Sequence, residues 1–156
     1  MSFVWLDYLV LAEALLQAHT TLAPEEACCR AAISRAYYAV YGVARRRARD
    51  QEGLRLPPAA EAHQRVITHY RHGTSPLHRA IGDSLRQLRS ARNRADYDDQ
   101  LVRPLALAQF AVRRARQVVR QLEALTPAPP TPHDVGGPAG TASAPEAPEE
   151  SGTADS

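Results

Sequence analysis

Apolar residues in the first 125 positions recur at intervals of three and four, and no stretch alternates apolar and polar as a half-buried strand would. Four or five helices follow from that period. The first spans about residues 3–19, with Trp5, Leu9, Ala12 and Leu16 in one stripe and Tyr8, Leu11 and Leu15 in an adjacent one. It is apolar over much of its girth, as suits a helix central to a bundle or shared with a partner subunit. The second opens at "TLAPEEA", where Pro24 takes a first-turn position and Glu25 and Glu26 face the positive end of the helix dipole. It closes near Asp50 on "ARRRARD", whose arginines suit the negative end. Cys29, Ile33, Ala36, Val40 and Val43 give it a narrow apolar seam that lets a neighbouring helix approach closely.

A short third helix covers about residues 59–71 and Gly73 ends it. The fourth starts near Ser75 and Pro76, turns Leu77, Ile81, Leu85 and Leu88 inward, and places Arg79 and Asp83 as an i,i+4 pair on its outer side. Pro104 opens a fifth helix, in which Leu105, Ala108, Val112, Ala115, Val119 and Leu122 keep the helical period best of all. The pattern predicts an all-α bundle forming one domain over residues 1–125. Beyond it, residues 126–156 hold seven prolines, four glycines and no aromatic residue. That composition buries too little to offset chain entropy, so a disordered, solubilising tail is expected there.

Charge sharpens the division. The basic residues are all arginine, and nineteen of them stand against twelve acids in residues 1–125, a net of +7, while residues 126–156 carry −5. A basic domain with an acidic tail points toward nucleic acid or an acidic partner. Cys28 and Cys29 are neighbours on a helix, roughly 100° apart, and cannot close an unstrained disulfide with each other. No Cys/His spacing suggests a metal site or cofactor, and a reducing cytoplasm is the expected setting. Asp7 and Glu13 interrupt the run "FVWLDYLVLAEALL", which falls short of the roughly 20 apolar residues of a membrane span.

Two stretches carry candidate chemistry. On the second helix Arg30, Ser34, Tyr38, Tyr41 and Arg45 share the side opposite the seam. Guanidinium groups and tyrosines in one stripe can bind phosphates and stack on bases, or can form a polar network at a helix interface. At the end of the fourth helix, "RNRADYDD" runs Arg92 and Arg94 into Asp96, Tyr97, Asp98 and Asp99.

These segments together, "WLDYLVLAEALL" (5–16), "RAAISRAYYAVYG" (30–42), the His63 and Val66 of "HQRVI", and "RQLRSARNRADYDD" (86–99), resemble the HEPN superfamily. The likeness is to its small prokaryotic members with a "SRAYYA" helix and a closing R-x-x-x-D-Y element. It covers about residues 3–122 and implies an up-and-down helical bundle that forms a homodimer. It also implies a toxin–antitoxin or defence-type setting, often beside a nucleotidyltransferase or antitoxin protein. In the catalytic branch an R-x(4–6)-H motif from each subunit cleaves RNA without a metal. There the arginine stabilises charge on the phosphorane and the imidazole moves the proton.

This chain departs from the motif where the imidazole belongs. Arg92 is followed by four residues and then by Tyr97, and an ordinary phenol, ionising near pH 10, is a poor base. One literal match, Arg71 with His78, crosses Gly73 and Pro76 and reads as chance; His69, His72 and His78 lie near enough in sequence to gather round that turn. If the chain cleaves, Arg92 binds phosphate and Tyr97, assisted by Asp96, handles the proton. Arg30, Ser34, Arg35, Tyr38 and Arg94 are the candidate RNA- or nucleotide-binding residues. In the structural alternative Arg92 pairs with Asp96, Tyr97 bonds across the dimer, and Asp98 and Asp99 begin the fifth helix. Two further alternatives are a non-enzymatic dimeric partner of a nucleotidyltransferase, and modification of Tyr97 by such a partner.

Overall fold

A computed structural model of the protein describes residues 1–125; the expected tail lies outside the described residues. The described chain is all-helical: α1 (Asp7–Gln17), α2 (Glu25–Asp50), α3 (Ala59–Arg71), α4 (Pro76–Tyr97) and α5 (Pro104–Ala124). None of these helices is long and apolar enough to cross a membrane.

The central element is α2, not α1. At 26 residues α2 is about 39 Å long, and it touches every other helix. Small residues make this possible: Ala32, Ala36, Ala39, Gly42, Ala44 and Ala48 are all buried, so neighbours approach its backbone from several sides. Gly42 is the extreme case, because a Cβ there would stand 2.0 Å from the Trp5 indole. With Trp5 seated on that glycine, residues 1–4 lie outside the helix, and Arg46 Nη2 holds them by donating to Ser2 Oγ (2.8 Å) and the Phe3 carbonyl (2.9 Å). This anchoring explains why α1 begins at Asp7 rather than near residue 3. Of its apolar girth, Leu9 and Ala12 are buried, while Val10 and Leu11 face outward.

Helix α3 lies against α4 and more lightly against α2. Its Tyr70 is fully buried and donates its hydroxyl to the Ala44 carbonyl at 3.0 Å, closing the α2–α3 contact with a satisfied polar group. In the loop after α2, Glu52 gathers Arg47, His69 and His78 on one carboxylate. Burial works against that carboxylate, but the hydrogen bond from His69 and the neighbouring His78 outweigh it and hold its pKa below the usual range. Two of the three histidines expected near this turn therefore do meet, and His72 stays exposed.

Ser75 caps α4 by accepting from the His78 amide at 3.1 Å, and Pro76 takes the first turn. The expected Arg79–Asp83 pair does not form. Asp83 is taken by Arg71 of α3 at 3.0 Å, and Arg79 turns back to the Gly73 and Thr74 carbonyls at the helix entry. A neighbouring helix thus outcompetes an intrahelical partner for the carboxylate. His78, the other half of the literal motif match, stacks on Tyr70.

Helix α4 ends at Tyr97, with Asp98 extended just beyond it. Asp98 and Asp99 therefore do not begin the fifth helix. The chain turns through buried Leu101 and left-handed Arg103 (φ 51°), and α5 starts at Pro104. The inward stripe of α5 is rotated slightly from the expected one, since Val118 is buried and Leu105 and Val119 are half-buried.

Candidate nucleic-acid interface

The ends of α2, α3 and α4 meet at the segment the sequence singles out. Arg92 Nε lies 2.8 Å from Asp96 Oδ2, one turn on along α4. This nitrogen makes no directed hydrogen bond, so the contact is an ion pair rather than a fork. The rest of the guanidinium is occupied too. Nη2 donates to Tyr38 Oη of α2 at 2.6 Å and Nη1 to Asn93 Oδ1 at 3.0 Å. The Arg92 side chain is only 18% exposed and its charge is met by a neighbouring carboxylate, which leaves little of it for a ligand.

Around it, cations and rings alternate. Arg35 stands over the rings of Tyr8 (4.7 Å) and Tyr38 (5.3 Å), and Arg92 over those of Tyr38 (5.1 Å) and Tyr97 (5.6 Å). The order Tyr8–Arg35–Tyr38–Arg92–Tyr97 makes one ladder from α1 across α2 to the end of α4. Each contact is worth about 0.5–2 kcal/mol, depending on how much water is excluded. The last ring is open: Tyr97 is 72% exposed.

Behind Tyr38 lies a second aromatic group. The His63 ring of α3 stacks on Tyr41 (centroids 4.0 Å apart, 11° between planes) and meets Tyr38 edge-on at 5.9 Å. Its Nδ1 is 2.6 Å from Tyr37 Oη. Burial raises the Tyr37 pKa, so the phenol keeps its proton at pH 7 and shares a hydrogen bond with Nδ1. Burial, then the nearby charges of Arg89, Arg92 and Arg45, push the His63 pKa down to about 4. This imidazole is thus neutral at pH 7, with Nδ1 engaged by Tyr37.

The accessible cations lie on the other side of α4. An open groove of about 500 Å³ between α3 and α4 is lined by Arg86, Arg89, Asn93, Arg94, Tyr97 and Asp98, with Gln64 on the α3 side. Arg89 Nη1 donates to Gln64 Oε1 at 2.9 Å, and Arg94 is only loosely opposed by Asp98, at 3.8 Å.

Five of the predicted residues, Arg35, Tyr38, Arg92, Asp96 and Tyr97, lie together along the ladder, and Arg94 lines the groove on the other side of α4 with Tyr97 at its rim. Arg30 and Ser34 are committed elsewhere. Arg30 pairs with Glu26 at 2.7 Å and donates to the Ala95 and Asp98 carbonyls at 2.8 Å each, so it fastens α2 to the negative C-terminal end of α4. Ser34 is buried, with Arg35 Nη2 3.3 Å from its hydroxyl. Sequence reasoning missed Arg86 and Arg89 as groove residues. Their i,i+3 spacing, continued by Arg94 two turns after Arg86, is the signal that could have found them. Among the described residues no group of three His, Cys, Asp or Glu is arranged to hold a metal ion.

Comparison with known proteins returns no match: no family model fits the chain, and neither a curated protein nor a solved structure is significantly similar to it.

Proposed function

We propose that the chain is a HEPN-like component of a toxin–antitoxin or defence-type system that binds RNA or nucleotide on the α3–α4 face, acting in the cytoplasm as a homodimer. One observation carries this reading: Arg86, Arg89 and Arg94 line a single open groove that ends at the exposed Tyr97. Phosphate binding needs accessible cations; Arg86 and Arg94 are exposed, and Arg94 is opposed only loosely, by Asp98 at 3.8 Å. The outward Val10 and Leu11 of α1 support an apolar contact with a second copy.

The geometry favours binding over cleavage. Arg92 is engaged by Asp96, Tyr38 and Asn93, and the neutral His63 spends Nδ1 on Tyr37. A metal-independent ribonuclease acting through Arg92, Asp96 and Tyr97 would first have to release that arginine. Incubating the protein with mixed RNA in EDTA tests the reading. RNA is expected to be retained at low salt and recovered intact, with Arg94→Ala weakening retention more than Arg92→Ala. Cleavage that disappears in both Arg92→Ala and Tyr97→Phe would establish the variant nuclease instead.

A second reading has its own support. The 72% exposure of Tyr97 suits an acceptor of nucleotide transfer from a partner nucleotidyltransferase. An adduct there would set negative charge among arginines and fill the groove. Intact mass after incubation with such a partner and ATP decides it: one added nucleotidyl group supports modification, and an unchanged mass removes it.

A further inference from the structure

The ring–cation ladder across α1, α2 and α4 is unfinished at one end. Its inner rungs each lie between two partners: Arg35 between Tyr8 and Tyr38, Tyr38 between Arg35 and Arg92, and Arg92 between Tyr38 and Tyr97. Tyr97 has Arg92 over its ring and is otherwise 72% exposed. A large exposed ring on a fixed cation stack, at the rim of an arginine-lined groove, is a platform lacking its last layer.

The groove beside it says what kind of layer fits. Arg86 and Arg94 are eight positions apart on α4, about 12 Å along the helix axis, with Arg89 between them. That is too far for one phosphate to bridge, but it suits successive phosphates of a strand. The groove is open rather than enclosing, so a chain can enter and leave it. A duplex keeps its bases stacked on one another and offers no free face to Tyr97, whereas an unpaired strand does.

We propose that the site takes an unpaired RNA segment, with one base stacked on Tyr97 as the next rung of the ladder and the flanking phosphates held by Arg86, Arg89 and Arg94. This rests on the RNA-binding reading above and adds the strand state and the base contact. Asp98 also lines the groove, 3.8 Å from Arg94, so a phosphate reaching Arg94 displaces that loose ion pair, whereas Asp96 stays held by Arg92. Readout of base identity is not required, because every base presents a π-face.

The test uses the full chain and three fluorescent probes: an oligouridylate, a strand of equal length with an abasic central segment, and an RNA duplex of equal length. The wild type is expected to bind the oligouridylate about 5- to 150-fold more tightly than the abasic strand, the range of one base–aromatic stack. Tyr97→Ala should remove that difference and leave abasic binding unchanged. Tyr97→Phe, which keeps the ring, should retain it. Arg94→Ala should weaken binding of the intact and abasic strands by the same factor. The thermal melt of Tyr97→Phe is expected to match the wild type, and that of Tyr97→Ala to fall by no more than a few degrees, because only the Arg92 contact of an exposed ring is lost. Equal binding of intact and abasic strands, or a duplex bound as tightly as the oligouridylate, overturns the base contact while leaving RNA binding in place. Failure of the wild type to bind any probe at low salt overturns the parent reading along with it.

Discussion

His63 shows how much a side chain's role depends on what surrounds it. In sequence it is one histidine of six, three residues before Val66. In the fold it lies against Tyr37, Tyr38 and Tyr41, and burial with three nearby arginines brings its pKa to about 4. The unfolded chain takes up this proton near pH 6.5, whereas the folded chain refuses it until about pH 4. Unfolded chains therefore bind more protons in that window, and the folded state loses stability as pH falls through it. Thermal melts from pH 7.5 to 4.5 should decline below about pH 6.5, and the decline should be shallower in His63→Gln. Parallel declines would mean that His63 is not the group responsible.

The same scale sets what sequence alone could say about the candidate site. Arg92, Asp96 and Tyr38 were legible because one motif-like segment and one tyrosine-rich helix named them. The Arg92–Asp96 pair was legible too, since the two stand one turn apart on α4, but the 2.6 Å bond from Arg92 to Tyr38 was not, because 54 positions of chain separate its partners. The contacts of Arg30 and Ser34 were hidden for a related reason. Helical spacing puts a residue on a face, but whether that face meets ligand, carbonyls or core is decided by the neighbouring helix.

At the scale of elements, the helix boundaries from α2 onward follow Pro24, Ser75, Pro76 and Pro104, local signals that act through backbone geometry. The start of α1 does not, because Trp5 is held by a glycine on α2, far away in sequence. Close approach also fixes α3 against α4. A Cβ at Gly82 would stand 2.4 Å from the Arg71 amide nitrogen, a backbone atom that cannot swing aside. Alanine is the better helix former by about 1 kcal/mol, so on propensity alone Gly82→Ala would stabilise α4. The clash reverses the sign, and urea unfolding should show a net loss of about 1–3 kcal/mol. A stabilised variant would mean that the α3–α4 contact is looser than described. Because the groove lies between these two helices, the same substitution is expected to weaken RNA retention.

Across the whole molecule, charge is partitioned rather than balanced. Residues 1–125 carry +7 against −5 in residues 126–156, and within the described domain the cations divide again into committed and available ones. Arg30, Arg71 and Arg92 are engaged in tying helices together or in ion pairs beneath the surface, whereas Arg86 and Arg94 border the groove. The bundle uses the first set to place the second. The central claim is that this second set binds RNA phosphates, and salt dependence measures it most directly. Each phosphate contact on a single strand steepens the fall of log K with log salt by about 0.7. The slope for oligouridylate should therefore be shallower by about 1.4 in Arg86→Ala/Arg94→Ala than in the wild type, with unchanged melting temperature. An equal slope in the two proteins would contradict the assignment of the groove.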